Sequence, residues 1–339
     1  MGPYNSFSSS RLDAIHVCRG LAALSVCLLH ISSATAFVFP RSVQTVASIG
    51  RYGVPVFFVI SGFVVPYSLL DRHYKIQAFP RFLTRRIVRL DPPYLVTLAL
   101  ALLLALLGHT YTYRTSDVAL HLGYLSGLVG RPWAVSVFWT LGIEFQDYIL
   151  VGLVLALVLP RAGWLTTPRT RGPILLGLIV AWFFLLSELE RRLHLRFTDA
   201  QMGGLWLLYK TPFLIGLAAL VVRRHALSPV WLVPIGVVSV PLLFVAVLFA
   251  WGPGQWPWTG RGLGRILIGL GSISYSLYLT HELVAGRLVA WLQRHGRMPT
   301  GALGAWVVVV AEVLICVTVA IGLWAGVERP AVRWSRRLR

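Results

Sequence analysis

Nine long apolar runs divide the chain, and short polar segments separate them. The runs cover residues 17–39, 52–70, 91–108, 136–159, 172–187, 204–222, 230–250, 263–290 and 303–327. Because a helix needs about 20 mostly apolar residues to cross a bilayer, these runs predict membrane-spanning helices. They lack the apolar–polar alternation of membrane strands, which excludes a transmembrane β-barrel. The predicted fold class is all-α, a polytopic transmembrane helical bundle of nine to ten spans.

Two segments fit this pattern less well. The run 172–187 is short for a span, and residues 119–130 favour at most a re-entrant or partial helix. The composition supports a membrane protein, because 57% of the residues are hydrophobic and only 13% are charged. Soluble domains carry about 25% charged residues. The mean hydropathy of +0.73 agrees, and the composition excludes an intrinsically disordered chain and a disulfide-rich secreted scaffold.

The positive charge of the chain lies between the apolar runs. Thirty-one Lys and Arg residues against twelve Asp and Glu give a formal net charge of +19. Cytoplasmic connections of membrane proteins carry such an excess of basic residues. This reading predicts contact with membrane lipid and argues against a nucleic-acid partner, which would need a solvated basic face. We expect an integral protein of the bacterial cytoplasmic (inner) membrane.

The charge rule conflicts with a count of nine spans. Basic clusters after the second, fourth and sixth spans fit the cytoplasmic side, but nine spans place the arginines of 333–339 outside. Either a tenth span exists or one apolar run does not cross the membrane. We expect ten spans, although periodicity does not locate the tenth. The predicted organisation is a disordered leader over 1–12, a membrane domain over 13–332 and a basic tail over 333–339.

Polar side chains inside predicted spans are the candidates for chemistry, because ionisable groups are costly in a bilayer. Arg19 and His30 lie eleven residues apart in the first run, about three helical turns, and therefore share one helix face about 16 Å apart. Histidine is the usual general base near neutral pH. The alternative is an arginine that reaches the lipid headgroups and a histidine bonded to a neighbouring helix.

Two carboxylates and a phenol form a second candidate group. Glu144, Asp147 and Tyr148 have the spacing i, i+3 and i+4, which places them on one face of a helix. Glu144 would pair with an arginine or hold the second ring nitrogen of His30. The alternative is a structural ion pair.

A third candidate is the basic segment 81–94. Arg86 and Arg89 lie one turn apart, and Pro92 and Pro93 after them suit a turn or a helix start. Paired guanidinium groups bind phosphates bidentately, so a phosphorylated cytoplasmic donor such as a coenzyme A thioester would fit. The alternative is contact with anionic lipid.

Weaker candidates lie near the C-terminal end. They are Ser274, Tyr275 and His281 in one predicted span and Glu312 in the last, for which an arginine is one candidate partner that the sequence does not identify. Serine and tyrosine in a span also serve as interhelical hydrogen-bonding groups. The nine histidines and three cysteines lack the spacing of a metal site, so we expect neither a metal nor a bound cofactor.

These segments together resemble the acyltransferase-3 family of integral-membrane acyltransferases. The similarity extends from about Asp13 to Pro330. It rests on seven motifs in family order: Arg19–ten residues–His30, Gly53-Val-Pro-Val-Phe-Phe-Val-Ile-Ser-Gly-Phe63, Arg86-Ile-Val-Arg89, Phe138-Trp-Thr-Leu-Gly-Ile-Glu144, Phe213-Leu-Ile-Gly216, Ser274-Tyr-Ser-Leu-Tyr-Leu-Thr-His281 and Glu328-Arg-Pro330.

The resemblance implies an enzyme that transfers an acyl group, commonly acetyl, from a cytoplasmic acyl-CoA co-substrate to a hydroxyl of a carbohydrate or glycolipid. It implies His30, Glu144 and Arg19 as catalytic residues. The expected substrate-binding residues are Arg86, Arg89, Tyr148, Ser274, Tyr275 and His281. The chain departs from the family pattern at Asp147, where members usually carry an aromatic residue. It also departs over 251–264, which is too short for an additional family span.

Two other functions remain compatible with the residues. A proton-coupled transporter or exporter of a glycan or small metabolite would also need intramembrane Arg, His and Glu side chains. Transporters often contain paired halves with matching broken helices, and the sequence shows no such halves. A membrane anchor without chemistry would leave the polar residues of the spans without a role.

Overall fold

A computed structural model describes residues 13–34, 44–45, 47–70, 74–108, 113–158, 171–193, 204–225, 227–228, 230–233, 239–251, 262–298 and 301–338. The predicted leader 1–12 lies outside these residues. Thirteen α-helices occur in the described parts: α1 Asp13–Ala34, α2 Gly53–Leu70, α3 Phe79–Leu107, α4 Thr115–Leu122, α5 Trp139–Val158, α6 Arg171–Arg192, α7 Lys210–Arg224, α8 Val240–Trp251, α9 Leu263–Ser272, α10 Ser274–Val284, α11 Arg287–Arg294, α12 Gly301–Leu323 and α13 Arg329–Arg337. The all-α prediction is confirmed.

Seven stretches of the described chain are long and apolar enough to cross a membrane. They are Asp13–Ser33, Ser48–Leu70, Ile76–Leu107, Ser136–Leu157, Gly172–Arg192, Trp206–Arg224 and Leu303–Arg337. A count of nine to ten spans is thus not confirmed. The weak run 172–187 belongs to a full-length helix, α6, whereas 119–130 contains only the end of the short helix α4 followed by turns.

The predicted run 263–290 is divided into three helices. Ile273 separates α9 from α10, with backbone angles of −93° and 1°. Gly286, at a φ of 79°, separates α10 from α11; glycine adopts this left-handed conformation without the steric cost of a side chain. The helix α11 is short and amphipathic. Glu312 of α12 accepts a hydrogen bond from the Val289 amide near the start of α11 at 3.4 Å, and no arginine of the described chain forms an ion pair with it.

The helix α3 begins earlier than the proline pattern predicts. It starts at Phe79 and continues through Pro92 and Pro93 to Leu107. Membrane helices tolerate interior prolines when neighbouring groups satisfy the backbone. Close to this pair, the Tyr275 hydroxyl donates to the Leu90 carbonyl at 2.9 Å. Arg86 and Arg89 therefore lie within one long helix and not in a turn.

Glycines allow close backbone contacts between α2 and α7 and between α1 and α9. A Cβ atom added at Gly62 of α2 would lie 2.1 Å from the Phe213 carbonyl oxygen of α7, and one added at Gly216 would lie 2.1 Å from the Val59 carbonyl oxygen. A Cβ at Gly271 of α9 would lie 2.0 Å from the His16 carbonyl oxygen of α1. Such small residues allow membrane helices to pack backbone against backbone.

The C-terminal helix resolves the charge conflict. A π-helical turn over Trp324–Glu328 joins α12 to α13, and α13 packs against α3. The Arg85 guanidinium donates to the Leu338 carbonyl. The C-terminal arginines Arg333, Arg336 and Arg337 consequently lie at the same end of the bundle as the basic start of α3. They belong to a helix that continues the last span, and not to a separate tail.

Candidate active site

A cavity of about 110 Å³ lies between α1, α2, α3, α5 and α10. Its wall combines apolar side chains with polar groups from all five helices. The polar lining residues are Arg19, Ser61, Arg86, Arg89, Thr140, Glu144, Tyr148, Tyr275 and Tyr278. Five of the predicted site residues outside α10, Arg19, Arg86, Arg89, Glu144 and Tyr148, thus meet at one place.

Positive charge dominates the cavity. Arg19, Arg86 and Arg89 contribute three guanidinium groups, and Glu144 is the one carboxylate among the lining residues. Within the described chain, no carboxylate oxygen lies within 4.0 Å of any of these three guanidiniums. Arg86 lies over the Tyr148 ring, 5.1 Å from its centroid, which is a cation–π distance. Three half-buried guanidiniums face one lining carboxylate, so this arrangement is suited to an anion from outside the chain.

Glu144 is held inside the cavity by two hydroxyl groups. Ser61 Oγ donates to Glu144 Oε1 at 2.8 Å, and the Tyr148 hydroxyl donates to the same oxygen. The sequence analysis allowed Glu144 to hold the second ring nitrogen of His30, but neither of its hydrogen bonds goes to that ring. Ser61 was not selected from the sequence, although it lies within the Gly53–Phe63 motif.

Asp147 does not share the cavity with its neighbours. Its side chain is fully buried, and the Trp206 indole donates from Nε1 to Asp147 Oδ1 at 3.1 Å. The predicted common face of Glu144, Asp147 and Tyr148 therefore splits, because positions i+3 and i+4 lie on opposite sides of position i. Asp147 connects α5 to the segment before α7.

His30 forms a pair with His281 above the cavity. His281 Nε2 lies 3.0 Å from His30 Nδ1, and the ring centroids are 5.0 Å apart. His30 is half-buried, whereas His281 is fully buried. His30 does not line the cavity itself. Tyr278 does, and its ring centroid lies 5.8 Å from that of His281 and 5.5 Å from that of Phe57. One aromatic layer separates the arginines from the histidine pair.

A carboxylate that the sequence analysis missed stands beside the histidine pair. The charge of Glu282 acts on His30. Ser136 Oγ donates to Glu282 Oε1 at 2.5 Å, and the Val137 amide donates to Oε2 at 3.2 Å. Glu282 directly follows His281 in the chain, and this position was the only feature of the sequence that could have marked Glu282 as a site residue. The residues that hold it belong to the segment before α5.

The remaining predicted residues of α10 have different surroundings. Tyr275 lines the cavity. Ser274 does not; it is fully buried, and its hydroxyl donates to the Gly271 carbonyl at 2.8 Å. Its role in substrate binding stays a prediction. The hydroxyl and amide of Ser276 donate to Glu328 Oε2 at 2.6 and 3.2 Å, which ties the C-terminal motif to α10. Among the described residues, no group of three or more His, Cys, Asp or Glu side chains could hold a metal ion.

Comparison with known proteins identifies the family of the chain. A family model described as an acyltransferase domain matches residues 12–325. The chain belongs to the acyltransferase-3 family. This acyltransferase is 25% identical to nodulation protein 10 of Rhizobium leguminosarum bv. viciae, over 98% of the chain and 96% of that protein. It is 24% identical to the acyltransferase MdmB of Streptomyces mycarofaciens, over 97% of the chain and 94% of that protein. No solved structure gives a significant match.

Membership in this family makes the chain a transferase enzyme, and its apolar helices make it an integral membrane protein. Both expectations are confirmed. The seven motifs occur in one bundle, and five of them contribute side chains to the cavity wall: the motifs that begin at Arg19, Gly53, Arg86, Phe138 and Ser274. The Arg19 motif contributes one side chain to the cavity and the other to the histidine pair.

The segment that holds Glu282 depends on a buried histidine, His121 of α4. The Ala134 amide donates to His121 Nε2 at 2.8 Å, and His121 Nδ1 lies 2.6 Å from the Asp117 carbonyl oxygen. Since Nε2 must accept, this ring has to be neutral with its hydrogen on Nδ1. Burial lowers the pKa of His121 from its ordinary value of 6.5.

We therefore expect the folded acyltransferase to lose stability as the pH falls below about 6.5, since only the unfolded chain binds the proton readily there. The melting temperature of the protein in detergent, compared at pH 7.5 and 5.5, measures this loss. His121→Gln keeps an acceptor and does not titrate, so its loss should be smaller. His295→Gln, on exposed His295, should behave as the wild type. Equal losses in His121→Gln and the wild type would contradict the assignment.

Proposed function

We propose that this acyltransferase moves an acyl group, in the simplest case acetyl, from acyl-CoA to a hydroxyl of a carbohydrate or glycosylated acceptor. The observation that carries the proposal is the cavity in which three guanidiniums, Arg19, Arg86 and Arg89, face the single carboxylate of Glu144, with no ion pair within 4.0 Å among the described residues. Guanidinium groups bind phosphate oxygens bidentately. A donor with several phosphates supplies the negative charge that the cavity lacks.

The dimensions of the cavity limit how much of the donor it can hold. Its volume of about 110 Å³ is about four times the volume of one liquid water. This space admits a phosphate group or a segment of the pantetheine arm, while the nucleotide stays at the mouth. The basic residues of α3 and α13 lie together at one end of the bundle, which favours entry of the donor from the cytoplasmic side.

His30 acts as the general base in the proposed reaction. As the acceptor oxygen forms its bond to the thioester carbonyl carbon, His30 Nε2 takes the hydroxyl proton. The carbon–sulfur bond then breaks, and the coenzyme A thiolate leaves and takes that proton. A weakly nucleophilic sugar hydroxyl needs such a base in the transition state. The Phe57 and Tyr278 rings are in contact, with centroids 5.5 Å apart, so they have to separate for the thioester to reach His30.

An assay with purified protein in detergent tests the proposal. Labelled acetyl-CoA is supplied with a panel of methyl glycosides, and release of free coenzyme A and labelled product are measured together. We expect both, with a KM for acetyl-pantetheine well above that for acetyl-CoA, because acetyl-pantetheine lacks the phosphates. Equal KM values would contradict phosphate recognition.

A matched measurement addresses the transporter alternative. The same protein in proteoliposomes is given labelled glycoside with and without acetyl-CoA. Uptake of unmodified glycoside without thioester consumption would favour a transporter over the proposed enzyme. Mass spectrometry of surface glycans and secreted metabolites from cells with and without the gene then identifies the natural acceptor, as an acetyl group that is lost with the gene.

A further inference from the structure

The hydrogen bonds around His281 determine where its own hydrogen lies. His281 Nδ1 lies 3.1 Å from the Leu277 carbonyl oxygen, one turn earlier on α10. A carbonyl oxygen accepts hydrogen bonds and never donates, so Nδ1 must carry the hydrogen. The side chain is fully buried, and no carboxylate of the described chain is bonded to it. A second proton on Nε2 would bury an uncompensated charge.

A neutral His281 then fixes the partner ring. With the hydrogen on Nδ1, its Nε2 is an acceptor, and the atom 3.0 Å away is His30 Nδ1. Two unprotonated nitrogens at this distance would repel each other, so His30 Nδ1 carries a hydrogen and donates it. The second nitrogen of His30, Nε2, is left with a free electron pair. The Leu277 carbonyl therefore determines the donor and the acceptor in both hydrogen bonds, from His281 to Leu277 and from His30 to His281.

We propose that His281 is a positioning residue that selects the tautomer of His30, with hydrogen on Nδ1 and the basic electron pair on Nε2. The inference rests on the proposed function only in taking His30 as the base. In a serine protease an aspartate performs the corresponding task; here a neutral imidazole does so. A base with the wrong tautomer presents a hydrogen to the acceptor hydroxyl and cannot remove its proton.

These two hydrogen bonds also limit where the proton that His30 gains can go. His281 Nε2 accepts from His30, but the next group is the Leu277 carbonyl, which cannot take a proton onward. The proton must therefore leave His30 through Nε2, toward the departing thiolate. Glu282, which Ser136 and Val137 hold in place, supplies a negative charge that attracts the protonated His30 ring. Orientation and this attraction thus come from neighbouring residues of α10.

Nitrogen NMR of the full chain, labelled with ¹⁵N-histidine and reconstituted in nanodiscs, tests the tautomer directly. The His30 signals are identified by their absence in His30→Gln. We expect one-bond coupling to hydrogen at Nδ1 and none at Nε2 in the wild type at neutral pH. Hydrogen on Nε2 of wild-type His30 would overturn the proposal, whatever the activity of the protein.

Kinetics of three variants provide the second test. His281→Leu removes the acceptor, so kcat for acetyl transfer should fall about 100-fold or more, as with a wrong tautomer, while the KM for acetyl-CoA stays unchanged. His281→Gln keeps an acceptor near the same place, so its kcat should lie between those of the wild type and the leucine variant. His295→Leu, on the exposed His295, is the matched control and should keep wild-type kcat.

The two tests separate this inference from the proposed function. An Nδ1 hydrogen on wild-type His30 that moves in His281→Leu supports the inference even if acetyl-CoA is not a substrate. Wild-type kcat in His281→Leu would overturn it even if the acyl transfer is established. If the leucine variant fails to fold, the wild-type spectrum still tests the tautomer of His30, and the kcat of the glutamine variant still tests the role of His281.

Discussion

Replacement of His30 by alanine should lower the rate of acetyl transfer about 100- to 10,000-fold, the usual contribution of a general base. His30 Nε2 is the nitrogen that its bond to His281 leaves free. The loss should appear in kcat, because His30 does not line the cavity in which the arginines lie. The measurement is the steady-state rate of coenzyme A release, with binding of acetyl-CoA followed separately.

The control for this variant is His295→Ala, which removes an exposed imidazole on α11. It should retain the wild-type rate. A His30→Ala protein that is inserted and folded, binds acetyl-CoA and still transfers acetyl at the wild-type rate would exclude His30 as the base. A loss of acetyl-CoA binding in the same variant would show instead that His30 belongs to the donor site.

The second large effect is expected from Arg86→Gln and Arg89→Gln. A hydrogen bond to a charged group contributes about 1.5–3 kcal/mol, which corresponds to about a 10- to 150-fold rise in the KM for acetyl-CoA for each lost contact. Both arginines face the cavity without an ion pair among the described residues. The rise should be small for acetyl-pantetheine, because it has no phosphates. The measurement is KM for the two donors.

A matched control lies on the same helix. Arg81 of α3 is exposed and does not line the cavity, so Arg81→Gln should leave both KM values unchanged. An equal rise for Arg81→Gln would indicate general attraction of the donor to a basic surface, which salt screens strongly. Unchanged KM in Arg86→Gln and Arg89→Gln would remove these arginines from the donor site.

The sequence determined the fold class and the approximate place of most spans. A helix in a membrane satisfies its own backbone and needs only a local run of apolar residues, so the signal is present within each segment. The spans at α1, α2, α5, α6 and α7 were located in this way. The same locality explains the errors: two prolines concealed the true start of α3, and breaks at Ile273 and Gly286 divided one apolar run into three helices.

The sequence also identified Arg19, His30 and Glu144 as side chains that are costly in a bilayer, and Arg86 and Arg89 as a pair of guanidiniums suited to phosphate. Only the tertiary structure decided their partners. Ser61 and Glu144 are 83 residues apart, and His30 and His281 are 251 residues apart. Hydrogen bonds over such separations depend on how the helices pack, through contacts such as that of Gly62 with Phe213. The periodicity of one helix shows which residues share a face, but not which other helix packs against that face.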